Sequence, residues 1–446
     1  MATSSLVWLR QDLRLDDQPA IAAAAGAGPF AALYVLDDET PGAFGIGAAQ
    51  RWWLHHSLER LGSEMEKRGG TLILRRGKSV DIVSEVAAHV NAGTIHATRH
   101  YEPWWQASER ALGNKLVLHP ADTLIPLEEI KTSSGEPYRI YSPFYRKLSS
   151  FPVDPPSEAT HRLKAPARLP PSDELTAWNL LPSKPDWASG FSVWRPGEEE
   201  ARSKLKSWKE KVASYAHQRD LPSLQGTSEL SPFLHFGEIS PRRIWHALAP
   251  VPGSEKFLKE LAWRDFARSA VLADPKIGVK SQRSIDIAWR SGSSADADFE
   301  AWTRGETGYP IVDAGMRQLW KIGWMHNRVR MIAASFLVKH LLIDWRRGER
   351  WFWDTLVDAD YGNNSLNWQW IAGTGVDSQP FNRIMAPIGQ SRKFDAGDYI
   401  RRWVPELAAL ADDLIHDPPS EVAGYPQKLV GHLEARERAL SARQHG

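Results

Sequence analysis

The chain has 446 residues, with 55 Lys and Arg against 54 Asp and Glu, which leaves a net charge of +1. It has no cysteine, so disulfides, zinc–thiolate sites, iron–sulfur clusters and a cysteine nucleophile are all excluded. No apolar run approaches the ~20 residues that span a bilayer, and the opening MATSSLVWLRQDLRL lacks the apolar core of a secretory signal. We therefore expect a cytoplasmic protein of two or three domains with no membrane partner.

Tryptophan is frequent: the chain has 21, against 10 Tyr and 14 Phe. This surplus of indole is compatible with ligand binding, stacking or electron transfer, and equally with core packing. The charge is uneven, since residues 1–130 hold 12 Lys and Arg against 16 Asp and Glu, whereas the remainder holds 43 against 38. The basic excess of the C-terminal part is, alone, weak support for a nucleic-acid partner.

Residues 1–130 alternate short apolar runs with helical patterns, which predicts an α/β domain with a parallel, Rossmann-like sheet. The segment WLRQDLRLDD follows the first strand where a dinucleotide fingerprint would have its glycines, so a classical dinucleotide site is not expected. The predicted strands are Leu6–Arg10, Ala31–Leu36, Thr71–Arg75, Thr94–Thr98 and Lys115–His119, and the predicted helices are 18–25, 48–68, 79–90 and 104–112.

Residues 131–197 are rich in proline and are predicted to connect two domains as an irregular surface segment. The start of the connector, GEPYRIYSPFYRKL, is expected to pack on the sheet domain. From residue 198 to 446 the pattern is helical almost throughout, which predicts an all-α C-terminal domain.

Two segments of the helical part combine polar and apolar residues in a way that suggests binding. Hydroxyls and free N–H groups at 227–231 would suit an anion such as a pyrophosphate. An ordinary capped helix would have the same sequence pattern. In the helix 257–271, Glu260, Trp263 and Arg264 share one face, which a salt-bridged surface would also explain.

The stretch 323–370 carries the strongest pattern. Helical spacing predicts one helix over 324–343, with an apolar stripe on one side. A mixed polar and aromatic set shares another face, an unusual composition for a plain core: Trp324, Asn327, Arg328 and Met331. Downstream, a turn presents carboxylates and amides as if to a ligand: Asp358, Asp360, Asn363 and Asn364.

Four strings in this part of the chain resemble the flavin-binding core of the DNA photolyase/cryptochrome family: GYPIVDAGMRQL, GWMHNRVRM, WFWDTLVDAD and NNSLNWQW. The resemblance covers nearly the whole chain and is closest to the bacterial cyclobutane pyrimidine dimer photolyases. It implies light-driven DNA repair, in which reduced FAD gives an electron to a flipped-out dimer and the cyclobutane ring splits. Damaged DNA is then the partner, and we expect a monomer associated with the nucleoid through DNA, with no metal.

The resemblance also assigns residues to the cofactor. It places Asn364 against flavin N5 and pairs Arg330 with Asp358. The implied FAD-binding residues are Tyr215, Thr227, Ser228, Glu229, Leu230, Ser231, Arg264, Arg330, Asp358, Asp360 and Asn364.

The lesion site follows in the same way. Glu260 is expected to donate, as a protonated acid kept so by burial against Trp263, to the carbonyls of the dimer. Trp263 and Trp370 are expected to stack on the flipped dimer. Asn327 and Met331 would contact it, and because neither is a histidine, a cyclobutane dimer is favoured over a (6-4) product. The implied electron-transfer residues are Trp289, Trp345 and Trp368, and the implied DNA contacts are Arg219, Arg264, Arg328, Arg383 and Gln390.

A second, light-harvesting chromophore is also implied on the N-terminal domain. Trp104 and Trp105 stand where folate-binding members have polar residues, which favours a deazaflavin or a flavin over folate and leaves open that nothing binds. Two alternative functions remain. A cryptochrome-like sensor without repair activity is disfavoured by Asn364 and Glu260, and a flavoprotein oxidoreductase would need a nicotinamide or substrate motif, none of which we find.

Overall fold

The computed structural model describes residues 4–120, 122–378 and 380–444, with side chains up to residue 442. Within these ranges, five parallel strands form one sheet in the order β3–β2–β1–β4–β5. The register pairs Leu6 with Ala31 on one side and with Ile95 on the other. The predicted parallel α/β architecture is confirmed. The strands are β1 (Ser4–Leu9), β2 (Phe30–Leu36), β3 (Leu72–Arg76), β4 (Ala92–Thr98) and β5 (Leu116–His119).

Helices pack against the sheet and dominate the C-terminal region. Those before residue 150 are α1 (Pro19–Ala27), α2 (Ala48–Lys67), α3 (Ser79–His89), α4 (Pro103–Leu112) and α5 (Tyr141–Leu148). The C-terminal set is α6 (Glu198–Lys211), α7 (Tyr215–Gln218), α8 (Ser231–His235), α9 (Pro241–Leu248), α10 (Glu255–Ala273), α11 (Ser293–Arg304), α12 (Pro310–Ile322), α13 (Asn327–Ser335), α14 (Trp345–Thr355), α15 (Tyr361–Ala372), α16 (Pro387–Lys393), α17 (Gly397–Trp403) and α18 (His432–Gln444). None of the helices in the described part of the chain combines the length and hydropathy that crossing a membrane requires.

The central strand β1 is buried on both faces, as a parallel sheet between helices requires. Because side chains alternate along a strand, Leu6 and Trp8 enter a smaller core shared with Val83 of α3. Val7 and Leu9 enter a larger core that continues into the C-terminal helices. The sheet and the helical region are therefore packed on a common apolar core, and the predicted boundaries at 130 and 197 stay predictions.

Polar contacts reinforce this junction at the carboxyl end of β1 and along α2. Arg242 of α9 forms an ion pair with Asp17 at 2.8 Å, and the Leu13 N–H donates to the Phe236 carbonyl at 3.0 Å. The Gln50 side chain donates to the Trp353 carbonyl at 3.0 Å. These contacts fix α14, and with it the segment that follows, against the sheet domain.

The single helix predicted over 324–343 is wrong at both ends. The helix α13 begins at Asn327, because His326 is extended and its Nδ1 accepts the Arg328 N–H at 3.2 Å. A π-helical turn, Phe336–His340, replaces the last part. Trp324 thus lies before the helix and does not share its face.

The start of the connector does not pack where the sequence analysis expected. Tyr141 of α5 stacks on Trp263 of α10 with ring centroids 3.7 Å apart, and Phe144 meets Phe266 at 5.3 Å. Because these aromatic side chains pack on aromatic rings of α10, α5 packs against the helical region. The proline-rich remainder is irregular, apart from short 3₁₀ turns at Leu175–Trp178 and Ser189–Val193.

Candidate functional site

A cavity of about 100 Å³ opens between α13, the end of α14 and α15. Its walls combine carboxylates, amides and a guanidinium with indole, phenyl and thioether groups. Of the residues singled out by the sequence, it brings together Asn327, Arg330, Met331, Asp358, Asp360, Asn363, Asn364, Trp368 and Trp370. Residues 356–360 form a short connection between the end of α14 and the start of α15. This connection brings side chains of both helices to the same cavity.

Asp358 anchors one side of the cavity. Its two oxygens accept from Arg330 Nη1 and Nη2 at 3.0 and 2.8 Å, so the ion pair that the resemblance implied is present and is bidentate. The Ser231 hydroxyl donates to Asp358 Oδ2 at 2.6 Å. Ser231 begins α8, so this bond ties the predicted anion segment to the cavity.

Asp360 is a buried carboxylate with two tasks. Its Oδ1 caps α15 by accepting from the Asn363 N–H at 2.8 Å, and its Oδ2 lies 3.0 Å from Arg268 Nη2. Burial would raise the pKa of Asp360, but the Arg268 and Arg264 guanidinium groups outweigh it and hold that pKa below its ordinary value. Asp360 is therefore ionised at neutral pH and contributes a fixed negative charge behind the cavity.

Asn364 is oriented by a residue that the sequence analysis missed. The Asn364 Nδ2 donates to the Glu349 carbonyl and to Glu349 Oε1, each at 3.1 Å, which leaves its Oδ1 as the amide atom available to the cavity. Glu349 is fully buried, and burial raises its pKa to about 7. A sequence signal existed, because Glu349 falls at helical spacing between Trp345 and Phe352, as the charged member of an apolar face.

The three tryptophans predicted for electron transfer differ in their surroundings. Trp368 lines the cavity and contacts the rings of Phe352 and Trp302 at 5.0 and 6.3 Å. Trp345 is fully buried, and Trp289 is half-buried against Phe381 at 6.3 Å. Trp368 and Trp345 are both buried and Trp289 is half-buried, and the electron-transfer role of all three stays a prediction.

Glu260 and Trp263 lie outside the lining of this cavity. Glu260 is in direct contact with the Arg219 guanidinium and lies 3.5 Å from Lys256, with 28% of its side chain exposed. Trp263 instead has one face covered by Tyr141. The expected apolar cover of Glu260 is thus absent, because two cations occupy its surroundings.

The segment predicted to bind an anion forms a helix start, but not a side-chain cap. Leu230 precedes α8 and is buried, while Glu229 has a φ of +53° and pairs with Lys204 at 2.8 Å. Tyr215 is also buried and lies under the Arg219 guanidinium at 5.2 Å. Thr227 and Ser228 are half-buried beside them.

The residues predicted to contact DNA are in different environments. Arg328 pairs with Asp220 at 2.8 Å over the ring of Phe394, and Arg383 is exposed. Gln390 is half-buried on α16. Arg264 is wrong as a surface contact: it is 8% exposed, and its guanidinium lies on Asp122 in the interior.

Comparison with known proteins places these features in one family. A family model described as the FAD binding domain of DNA photolyase matches residues 257–445, and one described as DNA photolyase matches residues 5–166. A deoxyribodipyrimidine photo-lyase of Agrobacterium fabrum is 45% identical over 98% of this chain and 97% of its own length. Two plant cryptochromes of Arabidopsis thaliana also match, at 34% identity.

Solved structures agree. A bacterial class III photolyase from Agrobacterium tumefaciens superposes with a TM-score of 0.94 at 43% identity, covering 100% of this chain and 98% of that one. An archaeal photolyase from Sulfolobus tokodaii, described with two FAD molecules, gives 0.85 at 28% identity and covers 100% of both chains. The chain therefore belongs to the DNA photolyase family.

Proposed function

We propose that this chain is a light-driven deoxyribodipyrimidine photo-lyase that splits cyclobutane pyrimidine dimers in DNA. The observation that carries the proposal is the cavity between α13 and α15, where the polar set Arg330, Asp358, Asp360 and Asn364 meets the apolar surfaces of Met331 and Trp370. The photo-lyases of Agrobacterium fabrum and Streptomyces griseus are 45% and 38% identical to this chain, against 34% for the two plant cryptochromes, which favours repair over the sensor alternative.

The residues present fit FAD. A flat heteroaromatic ring system with carbonyl and N–H edges needs donors and acceptors on its rim and apolar contacts on its faces. Asp358, Asp360, Asn364 and Arg330 provide the rim, and Ser231 extends the polar surface beyond Asp358. When bound, FAD would absorb the blue light and supply the electron for splitting.

The side chains of this protein would orient and balance charge. Because its Nδ2 is held by Glu349, Asn364 would offer Oδ1 as an acceptor at the edge of the ring. The charge of Asp360 is offset by Arg268, and that of Asp358 by Arg330, so the cofactor would bind beside two neutralised pairs rather than beside bare carboxylates.

DNA would bind over the same opening. Asn327 is exposed at the start of α13 and lines the cavity, as do Met331 and Trp370, so an extruded dimer entering here would meet an amide, a thioether and an indole. Arg328 and Arg383 would contact phosphates around the rim, which positions the duplex and makes affinity depend on salt. Glu260 is proposed to assist the dimer, and binding would then require its ion pair with Arg219 to open.

The proposal is tested by photorepair. The purified protein, with its flavin reduced, is mixed with UV-damaged oligothymidine, and recovery of thymine absorbance is followed under blue light and in darkness. We expect recovery only in the light, and Trp370→Ala should slow it while retaining the flavin. Absence of recovery with the flavin bound and fully reduced would favour a blue-light sensor.

We also propose that a second chromophore, if one is carried, is a flavin or deazaflavin rather than a folate. Trp104 packs against Phe44 and Tyr361, and Trp105 against Trp8, so these indoles fill the region with rings instead of offering polar groups. The description of the Sulfolobus relative, with two FAD molecules, supports the same choice. Chromatography of the chromophores released by denaturation checks this, since a folate would contradict it.

A further inference from the structure

The helix α2 carries a cluster of three side chains that the repair function does not use. His55, His56 and Glu59 follow one another at i, i+1 and i+4, and one potential ligand atom of each lies within 4.8 Å of the others. His56 Nδ1 is 3.7 Å from Glu59 Oε2. Nothing in the proposed repair mechanism needs an imidazole at this place.

One ring nitrogen of His55 lacks a hydrogen-bond partner. His55 is 9% exposed, and its Nδ1 is buried with no hydrogen-bond partner. A buried polar atom left unpaired has a free-energy cost, so an unfilled one indicates a missing partner. A metal ion bound by this nitrogen would remove that cost.

We propose that His55, His56 and Glu59 form a binding site for a divalent transition-metal ion, of which Zn²⁺ is the best match. Two imidazoles and one carboxylate are a ligand set that zinc accepts in tetrahedral geometry, with a water molecule in the fourth position. Alkaline-earth ions are disfavoured because they prefer an all-oxygen ligand set.

The geometry is close to what such an ion needs. Ligand atoms around tetrahedral zinc, at ~2.0–2.1 Å from the metal, lie roughly 3.4 Å from one another. The His56–Glu59 pair is near this at 3.7 Å, and the ligand atoms of all three residues lie within 4.8 Å of one another, so an ion would have to draw them closer by up to ~1.4 Å. Trp52 packs edge-on against His56 at 4.6 Å and limits how far that ring can turn away.

The site is open to solvent on one side only. The side chain of Glu59 is 65% exposed, whereas that of His56 is 29% exposed and His55 is buried. An ion would enter past Glu59 and link three residues of one helical turn. It would stabilise α2, which packs against α14 through the Gln50–Trp353 bond, without touching the cavity.

The test is metal binding by the untagged, chelator-treated full-length protein. Co²⁺ is titrated while its visible ligand-field absorption is recorded, and Zn²⁺ is titrated by calorimetry. We expect one equivalent to bind, with the intense visible bands of a tetrahedral site. His56→Ala and Glu59→Gln should each weaken binding by more than about tenfold, since even an outer-shell partner of a metal ligand contributes ~10–100-fold.

The matched control is Glu66→Gln, an exposed glutamate two turns along the same helix, which should bind as the unaltered chain does. Binding that survives both His56→Ala and Glu59→Gln, or no binding to the unaltered chain, would overturn the proposal. Should His56→Ala fail to fold, Glu59→Gln alone decides, because its side chain is largely in solvent. Photorepair should be the same with and without Zn²⁺, which separates this site from the repair function.

Discussion

The two ends of α10 carry the same pairing of acid and arginine in different surroundings. Glu260, Arg264 and Arg268 are spaced by four residues and so lie along one stripe of this helix. At the inner end, Arg264 and Arg268 enclose Asp122, and Arg268 also reaches Asp360. At the outer end, Glu260 meets Arg219 where a quarter of its side chain is in water.

The difference teaches what each pair can do. Charges removed from water interact strongly and have no alternative partner, so the inner cluster is a rigid part of the fold. Charges at the surface are screened and exchange readily with solvent or with a ligand, so the outer pair can open for a substrate. Substitutions in the buried cluster should therefore change stability more than substitutions in the partly exposed pair.

The largest effect is expected at Asp122. Asp122→Ala leaves two buried guanidinium groups without their shared carboxylate, which should lower the free energy of unfolding by about 3–5 kcal/mol. Chemical denaturation measures this, with Asp412→Ala as the control. Asp412 forms a comparable pair with Arg401 but is 92% exposed, so its loss should leave the midpoint unchanged. Similar losses for both variants would contradict the contrast.

The same residue predicts a pH dependence. Burial would raise the pKa of Asp122, but Arg264 and Arg268 outweigh it and hold that pKa well below its ordinary value. The stability that Asp122 contributes is therefore complete above about pH 4, the ordinary range of an unfolded Asp, and is lost as the pH falls below it. In unfolding curves measured from pH 6 down to 3, the gap between the unaltered protein and Asp122→Ala should narrow.

Glu349 is a buried acid without a cluster of arginines around it. Its pKa is therefore shifted upward, and its contribution to stability changes with pH in the opposite direction to that of Asp122. Burial raises its pKa to about 7, above the ordinary value near 4.3, so the folded state loses stability as the pH rises from about 4.3 to 7. Glu349→Gln removes this loss and should stabilise the protein at pH 8, by at most about 4 kcal/mol, with little change at pH 4.5. A gain of equal size at both pH values would exclude titration as its cause.

Asp360 lies between the inner cluster and the cavity. Asp360→Ala removes the cap of α15, worth about 1 kcal/mol, and deprives Arg268 of one partner. Asp360 also lines the cavity. The variant should therefore lose much of its bound flavin under conditions in which the protein remains folded. The flavin-to-protein absorbance ratio after gel filtration checks this. The control is Asp354→Ala, an exposed residue of α14 that accepts from the Ala48 N–H at 2.9 Å and does not line the cavity, and this variant should keep its flavin.

The smallest effect on stability is expected at Glu260. Its pair with Arg219 is partly exposed, so Glu260→Gln should change the free energy of unfolding by less than about 1 kcal/mol. The same substitution should reduce the yield of dimer repair, because it alters the group proposed to contact the dimer. Unchanged repair would remove Glu260 from the site.

Much of this protein could be predicted from its sequence, because the relevant signals are local. Strand periodicity and apolar runs located the five strands within one or two residues at most of their ends. The residues from Asp358 to Asn364 predicted a polar turn before a helix rich in aromatic residues. The Arg330–Asp358 pair was implied by the family resemblance, and the structure contains it. Backbone propensity and side-chain spacing are properties of a short stretch of chain, so the elements that depend on them can be predicted from the sequence alone.

Only the tertiary structure decided which side chains share an environment. Glu260 was expected under apolar cover and instead meets Arg219, which lies 41 residues earlier, while Arg264 turned from a surface contact into a buried partner of Asp122. Glu349 gained its role from Asn364 on the next helix, and the start of α13 was set by the ring of His326. Burial and charge pairing depend on elements distant along the chain, and their energies are fixed only when packing has removed the water between them.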